Sequence, residues 1–206
     1  VAAKEIEFEM TPAQREACRV DARRPELYFC NDLKGYGWIF RKGDYLNIGL
    51  GREDNHRLGE HIDAFMDWLK REGRIPGDID QRFKGHAYLL YAHGDRPLIR
   101  DGVLLIGDAA GLAYPQSGEG IRPAIESAVL AARTLLEAEG DYSAARLAPY
   151  RQRLEARFGP LETEERNFIP AVLRQRLAAP LLKNRWFTRH VVLDRWFLHV
   201  HQPPLR

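Results

Sequence analysis

The N-terminal part of the chain alternates apolar and polar positions with a period of two, which is typical of half-buried β-strands. A turn at Lys42, Gly43 and Asp44 separates two of these segments and predicts a hairpin. The pattern therefore indicates an antiparallel sheet. The segments that predict strands are residues 4–10, 26–30, 36–41, 45–50 and 83–91.

Two stretches show helical spacing instead. Residues 57–71 predict a helix that Gly73 ends, and residues 119–138 predict a second helix that Gly140 ends. The apolar positions of the second helix are Ile121, Ala124, Ile125, Ala128, Val129, Leu135 and Leu136.

Residues 103–106 form a short, continuously apolar run bounded by glycines, which predicts a parallel strand covered on both faces. A single strand–loop–helix unit cannot build a doubly wound sheet, so we expect the chain to begin inside a larger protein. The remainder, about 143–201, is helical in composition and is broken by prolines. We therefore predict an α+β fold: a sheet portion at 1–100, a strand–loop–helix segment at 101–142 and a basic helical region at 143–206.

Composition excludes several classes of protein. The 206 residues are 45% hydrophobic and 29% charged, with a mean hydropathy of −0.44, and the sequence has no apolar run of the roughly 20 residues that a membrane span needs. Cys18 and Cys30 have neither metal-ligand spacing nor the density of a disulfide scaffold, so we predict no metal site and a reducing, cytoplasmic compartment.

Charge is unevenly distributed although the net charge is only +2. Residues 146–206 hold 12 Lys and Arg against 5 Asp and Glu. Such a region can contact an anionic membrane surface, which predicts a peripheral membrane contact through the C-terminal helices; the alternative is a solvated or partner-facing segment. No zinc-finger spacing, RNA-binding signature or helix-turn-helix supports nucleic acid as a partner.

The most informative stretch is residues 107–121, which begins Gly107-Asp108 and ends Gly118-Glu119-Gly120-Ile121. The preceding strand delivers Asp108 to a sheet edge of the kind where open α/β folds bind ligands. Pro115 stiffens the loop. Gly118 and Gly120 open a helix whose N-terminal N–H groups suit an anion or a partly negative carbonyl.

This stretch resembles the second flavin-binding motif of the flavoproteins related to p-hydroxybenzoate hydroxylase, and its GD…P…GEGI form is most similar to the geranylgeranyl reductase branch. Flavin-dependent halogenases are a second, similar branch. The hairpin segment Gly35-Tyr36-Gly37-Trp38 resembles the Gly-Tyr-x-Trp segment of the reductases. Together the two segments imply a flavin-binding domain with a Rossmann-like last unit and a substrate-domain sheet.

The resemblance implies FAD as cofactor. Gly107 begins the motif, Asp108 would bind the ribityl chain, Pro115 would line the approach to the ring, and the backbone of Gly118, Glu119, Gly120 and Ile121 would face the pyrimidine edge. Tyr36, Trp38 and Phe40 would face a cavity that holds a small apolar or aromatic substrate. No catalytic residue is assigned.

The family's first motif, Gly-x-Gly-x-x-Gly, is absent, so we expect a missing N-terminal dinucleotide-binding segment and only weak FAD binding by this chain alone. The resemblance implies that the intact protein is an oxidoreductase that would hydrogenate an isoprenoid-type double bond, or activate oxygen for hydroxylation or halogenation.

Three alternatives stay open. Tyr36, Trp38 and Phe40 alternate with Gly37 and Ile39, so they could be ordinary core residues. Glu119 could complement the helix dipole rather than act as an acid. The whole chain could be a non-enzymatic lipid- or partner-binding module that has lost the cofactor.

Overall fold

The computed structural model describes residues 1–54, 56–91, 96–160 and 180–205. Within these residues the chain divides into two compact units, Val1–Ala87 and Tyr88–Arg206.

The first unit is a five-stranded sheet with two helices. The strand order is β2-β3-β4-β1-β5, and every pair is antiparallel. In chain order the elements are β1 (Ala2–Glu9), α1 (Pro12–Ala17), β2 (Glu26–Phe29), β3 (Gly35–Lys42), β4 (Tyr45–Arg52), α2 (Leu58–Arg71) and β5 (Lys84–Ala87).

The core of this unit lies between one face of the sheet and α2. Ile48 in β4 is fully buried and stands opposite Ile39 of β3 on one side and Ile6 of β1 on the other. Ile62 and Leu69 of α2 belong to the same buried cluster. The first four predicted strands, the hairpin and the helix at 57–71 are therefore confirmed, because the apolar positions that predicted them meet in one core.

The last predicted strand is shorter than expected. Residues 83–91 contain only β5, and Tyr88 already belongs to the second unit. Leu90 forms an isolated parallel bridge with Ala113 instead. The prediction ran too far because Leu90 and Tyr91 are also apolar, but they are buried in the second unit and not in the sheet.

The second unit contains a two-stranded ladder followed by helices. In chain order its elements are β6 (Ile99–Arg100), β7 (Val103–Leu104), a 3-10 helix (Gly107–Ala110), α3 (Ile121–Glu137), α4 (Ala144–Leu147), α5 (Pro149–Phe158), α6 (Arg185–Phe187) and a π-helix (Thr188–Phe197). The helical C-terminal region is thus confirmed where it is described; Pro170 and the rest of 161–179 lie outside the described residues.

The strand predicted at 103–106 is present as β7 over Val103–Leu104, but the described residues do not include the parallel neighbours that the prediction assigns to a further segment. Within the described part of the chain β7 pairs only with β6, in an antiparallel two-residue ladder, and the side chains of Val103 and Ile106 are exposed. The run is apolar without being covered, since the described residues supply no parallel neighbour for it.

Helix α3 buries an unexpected face. Leu130 and Ala131 pack in a cluster with Tyr150 and Leu154 of α5, and the polar residues Glu126, Ser127 and Thr134 are buried on the same helix. The apolar set that predicted the helix is mostly exposed: Ile121 is 75%, Ile125 61% and Leu136 79% accessible.

Among the residues that are described, no helix has both the length and the apolar character to cross a membrane. Trp186, in the basic C-terminal region, is largely exposed, whereas Val192 is buried. The peripheral membrane contact through this region stays a prediction.

Candidate functional site

The site begins where the chain leaves β7. Ile106 is extended, and the 3-10 helix Gly107–Ala110 follows directly. Gly107 is buried, and its N–H donates a hydrogen bond of 3.0 Å to Ser127 Oγ on α3. This bond fixes the start of the loop to the helix and leaves Asp108 exposed at the surface of the unit.

Asp108 and Gly120 lie side by side. A Cβ placed on Gly120 would come within 2.9 Å of Asp108 Oδ1. Gly120 has a φ of −116°, so its backbone is open to any residue and only the space beside the carboxylate favours glycine. The structure thus brings together the carboxylate and the helix start that the sequence placed twelve residues apart.

Gly120 is the N-cap residue of helix α3 and has no side chain that could cap the helix. The N–H of Arg122 donates to Glu119 Oε1 at 2.8 Å, whereas those of Gly120 and Ile121 have no hydrogen-bond partner among the described residues. Two N–H groups at the positive end of a 17-residue helix are therefore available beside Asp108. The contact of Glu119 with the first turn favours a structural role for this side chain over an acid role.

The loop between Gly111 and Gly120 is closed on itself. Gly118 N–H donates to the Tyr114 carbonyl at 2.7 Å, and Tyr114 N–H donates to the Glu119 carbonyl at 3.0 Å. Pro115 lies between them and lines a cavity of about 260 Å³ in the second unit.

Tyr88 fixes the C-terminal part of this loop through a contact with Gly118. Its hydroxyl donates to the Gly118 carbonyl at 3.0 Å, and a Cβ on Gly118 would come within 2.8 Å of that hydroxyl. Gly118 also has a φ of +65°, so both space and backbone conformation require glycine. Burial and the nearby Asp108 carboxylate raise the pKa of Tyr88 to about 12, so the phenol stays a donor at neutral pH.

The three predicted substrate residues share one face of the sheet in the first unit. Tyr36, Trp38 and Phe40 are half-buried, whereas Gly37 and Ile39 between them are buried. Gly37 faces Phe65 of α2, so the aromatic face is the one turned away from that helix. The three rings are therefore not part of the core under α2.

Two contacts order this aromatic face. Trp38 Nε1 donates a hydrogen bond of 2.8 Å to Asn47 Oδ1, and the indole covers Gly49, where a Cβ would come within 2.2 Å of the ring. The ring of Tyr36 lies 6.0 Å from that of Trp38. The indole is held flat on the sheet, and this needs glycine at position 49.

Sequence comparison identifies relatives. The chain is 30% identical over 157 residues to the digeranylgeranylglycerophospholipid reductase of Methanococcus vannielii, and 30% identical over 159 residues to that of Methanocaldococcus jannaschii. Each alignment covers 71% of this chain, and they cover 37% and 38% of the two relatives. No family model matches the chain.

The chain is a homologue of the digeranylgeranylglycerophospholipid reductases. A solved structure agrees: a geranylgeranyl bacteriochlorophyll reductase-like protein from Thermoplasma acidophilum superposes with a TM-score of 0.58 and 27% identity, over 77% of this chain and 40% of that protein. The resemblance stated on the motifs is thereby confirmed, as is the α+β fold. The chain spans well under half the length of the relatives it matches.

Three residues that position the loop at 107–120 were not predicted from the sequence. They are Tyr88 on Gly118, Ser127 on Gly107, and Arg96, whose Nη1 donates to the Ala109 carbonyl at 2.8 Å. Ser127 has a local signal, because a small polar residue interrupts the apolar spacing of α3. Tyr88 and Arg96 have none, since their contacts depend on how distant segments pack.

Proposed function

We propose that this chain is the flavin-ring and substrate portion of an FAD-dependent oxidoreductase that hydrogenates double bonds of an isoprenoid-type lipid. The observation that carries the proposal is the closeness of the Asp108 carboxylate to the N-terminus of α3 at Gly120, in a homologue of the digeranylgeranylglycerophospholipid reductases. The names of these relatives favour reduction over hydroxylation or halogenation.

The residues at the site suit a flavin. The space beside Gly120 would be closed by any Cβ, and two N–H groups there have no partner in the described residues, as expected for a cradle that receives a partly negative edge. We assign the Asp108 carboxylate to the ribityl hydroxyls, and the N–H groups of Gly120 and Ile121 to the pyrimidine edge. Tyr88 acts through Gly118 by fixing the loop.

The flavin, when bound, supplies the redox chemistry, and the protein supplies binding, orientation and exclusion of water. We assign the apolar substrate to the face of the sheet that carries Tyr36, Trp38 and Phe40. This face suits an apolar chain because the three rings are partly exposed and Trp38 has its N–H satisfied by Asn47. No side chain of this portion is assigned to proton transfer.

The full-length protein would need a further segment that binds the ADP half of FAD. We propose that this segment precedes the chain and covers the exposed apolar face of α3, at Ile121, Ile125 and Leu136. The chain alone then presents only part of the FAD contact surface and binds FAD no more tightly than about millimolar.

The test compares three purified proteins: the 206-residue chain, the full-length protein and its Asp108→Ala variant. We expect the full-length protein to carry FAD and to reduce a geranylgeranyl lipid when supplied with a chemical reductant. Asp108→Ala should weaken FAD binding by about 1.5–3 kcal/mol, which is roughly 10- to 150-fold. The exposed Asp63→Ala on α2 is the control, with unchanged affinity.

Two results would oppose the proposal. FAD affinity that is the same in Asp108→Ala and wild type would remove Asp108 from the site. A full-length protein without FAD, and without reductase activity after reconstitution, would favour the non-enzymatic lipid- or partner-binding module instead.

A further inference from the structure

The aromatic face of the first unit contains a buried polar side chain whose role the proposed function leaves open. Asn47 lies on β4, opposite Phe40 of β3 on one side and Glu7 of β1 on the other. Opposite residues of antiparallel strands point to the same side of a sheet, so Asn47 shares the face that carries Trp38. Asn47 is only 7% exposed. A buried amide needs hydrogen-bond partners for both of its ends.

Both ends of the Asn47 amide are paired. Its Oδ1 accepts from Trp38 Nε1 at 2.8 Å, and its Nδ2 donates to Glu5 Oε2 at 3.3 Å and to Glu7 Oε2 at 3.1 Å. An indole N–H can only donate and a carboxylate can only accept, so the amide cannot turn over without losing all three hydrogen bonds. Asn47 therefore connects the indole on β3 to two carboxylates on β1.

The Glu7 carboxylate is itself held in place. Lys42 Nζ donates to the same Oε2 of Glu7 at 2.7 Å. This hydrogen bond, together with the one from Asn47, lowers the pKa of Glu7, so the acceptor is a carboxylate at neutral pH. Hydrogen bonds to a charged acceptor are stronger than those to a neutral one. The Asn47 amide is thus bound firmly to β1 on the side away from the indole.

The position of the Trp38 ring depends on this amide. The ring lies over Gly49, where a Cβ would come within 2.2 Å of Cζ2 and 2.4 Å of Cε2. A Cβ on Gly51, the next glycine on this face, would be 3.7 Å from Cζ3. A flat ring leaves the space above β4 open and presents its apolar surface. A ring released from Asn47 has other staggered rotamers available, and these would raise it across the face.

We propose that Asn47 is a positioning residue for the substrate: it holds the Trp38 indole flat before a ligand binds, so that the aromatic face is preformed for a branched apolar chain. The inference rests on the assignment of the substrate to this face in the proposed function, and it adds the residue that shapes the face. A large side chain that must be ordered on binding weakens binding. Asn47 also pairs the indole N–H, so no unsatisfied donor is buried under the chain.

Geraniol is the probe, because it is a short branched chain of isoprene units that needs no flavin in order to bind. Titration of the 206-residue chain, followed by the ring proton resonances of Trp38, measures its Kd at this face. Asn47→Leu keeps the size of the side chain and removes all three hydrogen bonds, so we expect a Kd about three- to tenfold weaker. Tyr45→Phe on the same strand is the control, because it removes only a hydrogen bond to Glu9 of β1 and should leave the Kd unchanged.

A second variant moves the ring and leaves the Asn47 side chain as it is. The φ of Gly49 is not positive, so its backbone tolerates alanine, but the added Cβ would push the indole off the sheet. We expect Gly49→Ala to weaken geraniol binding about three- to tenfold as well. Gly51→Ala is the matched control two residues along β4, because its Cβ would be no closer than 3.6 Å to any neighbouring atom and should leave the Kd unchanged.

Hydrogen exchange of the indole N–H groups needs no variant. The Trp38 N–H, bound to Asn47, should exchange with solvent at least about tenfold more slowly than that of Trp186, whose side chain is 67% exposed. This protection should persist when geraniol is added, because the ligand contacts the face of the ring and not the N–H.

The inference is overturned, and the substrate assignment survives, if either Asn47→Leu or Gly49→Ala binds geraniol as tightly as wild type does. It is also overturned if the Trp38 N–H exchanges as fast as that of Trp186, a result that holds even if Asn47→Leu fails to fold. A wild-type chain that does not bind geraniol would remove the substrate from this face and would overturn the assignment and the inference together.

Discussion

Helix α2 and helix α3 are both amphipathic, but the apolar positions that predict α2 are buried whereas most of those that predict α3 are exposed. The apolar positions of α2, such as Ile62 and Leu69, are buried against the sheet. Those of α3 that predicted the helix, such as Ile125 and Leu136, are exposed. The helix instead buries the polar residues Glu126, Ser127 and Thr134 beside Leu130 and Ala131. Helical periodicity therefore identifies a face that packs against another segment. It does not show whether that segment belongs to the same unit.

The buried polar face of α3 has partners of its own. Glu126 binds two arginines, Ser127 binds the Gly107 N–H, and Thr134 Oγ1 donates to the Leu130 carbonyl while accepting from Arg153. Each buried polar atom is paired, so this face is stable as it stands. The exposed apolar face of α3 is therefore not needed to satisfy these polar groups, which supports the proposal that a further segment covers it.

The substitution Ile48→Ala should have the largest effect, and it tests the buried core between α2 and the sheet of the first unit. Ile48 is fully buried between Ile6 and Ile39, so the substitution leaves a cavity and should lower the free energy of unfolding by about 2–5 kcal/mol. Urea denaturation monitored by circular dichroism measures this. A loss below about 1 kcal/mol would mean that the sheet and α2 do not form a tightly packed core.

Glu126→Gln tests the polar face of α3. Removing the charge leaves Arg122 and Arg157 without their carboxylate, and we expect a loss of about 2–4 kcal/mol at neutral pH. The surface pair of Arg151 with Glu155 is the control, because Glu155→Gln should cost about 0.5 kcal/mol or less.

The stability difference between wild type and Glu126→Gln should also depend on pH. Burial alone would raise the pKa of Glu126, but hydrogen bonds from Arg157 and Arg122 outweigh it and lower the pKa below the ordinary 4.5. A lowered pKa contributes stability that is complete above 4.5 and is lost as the pH falls through the folded-state value. The stability gap between wild type and Glu126→Gln should therefore narrow in acid; a constant gap from pH 7 to pH 3 would contradict the ion triad.

Gly120→Val tests the start of α3 in the full-length protein. The native φ is negative, so the backbone tolerates the change, and the unfolding free energy should fall by about 1 kcal/mol or less. FAD affinity should fall more, by roughly tenfold, because the side chain displaces the Asp108 carboxylate. Gly85→Val, where a Cβ meets nothing, is the control. Collapse of stability with normal FAD affinity would make Gly120 a packing residue.

Much of the fold follows from local pattern. The hairpin around Gly43, the helix that Gly73 ends and the helix opened by Gly120 are all at their predicted places, because each depends on residues close in sequence. The same holds for the loop at Asp108. The apolar run at 103–106 predicts a covered strand; the described residues form the strand β7 there but leave Val103 and Ile106 exposed.

Contacts between distant segments could not be predicted. Tyr88 lies thirty residues from Gly118, and His199 lies 85 residues from Tyr114, so neither pairing leaves a periodic signal. The buried Glu126 was missed for a related reason: a charged residue within an apolar helix is expected on the exposed face, unless arginines from other segments reach it.

The smallest expected effect is the most informative for the comparison of the two helices. Ile125→Ala removes an apolar side chain that is 61% exposed, so in the 206-residue chain it should change the unfolding free energy by about 0.5 kcal/mol or less. In the full-length protein, where a preceding segment is proposed to cover this face, the same substitution should cost more than about 1 kcal/mol. Denaturation of both proteins, each at two concentrations, makes the measurement. A large, concentration-independent loss in the short chain would mean that α3 is already covered within it, and a loss that grows with concentration would point to a second copy instead.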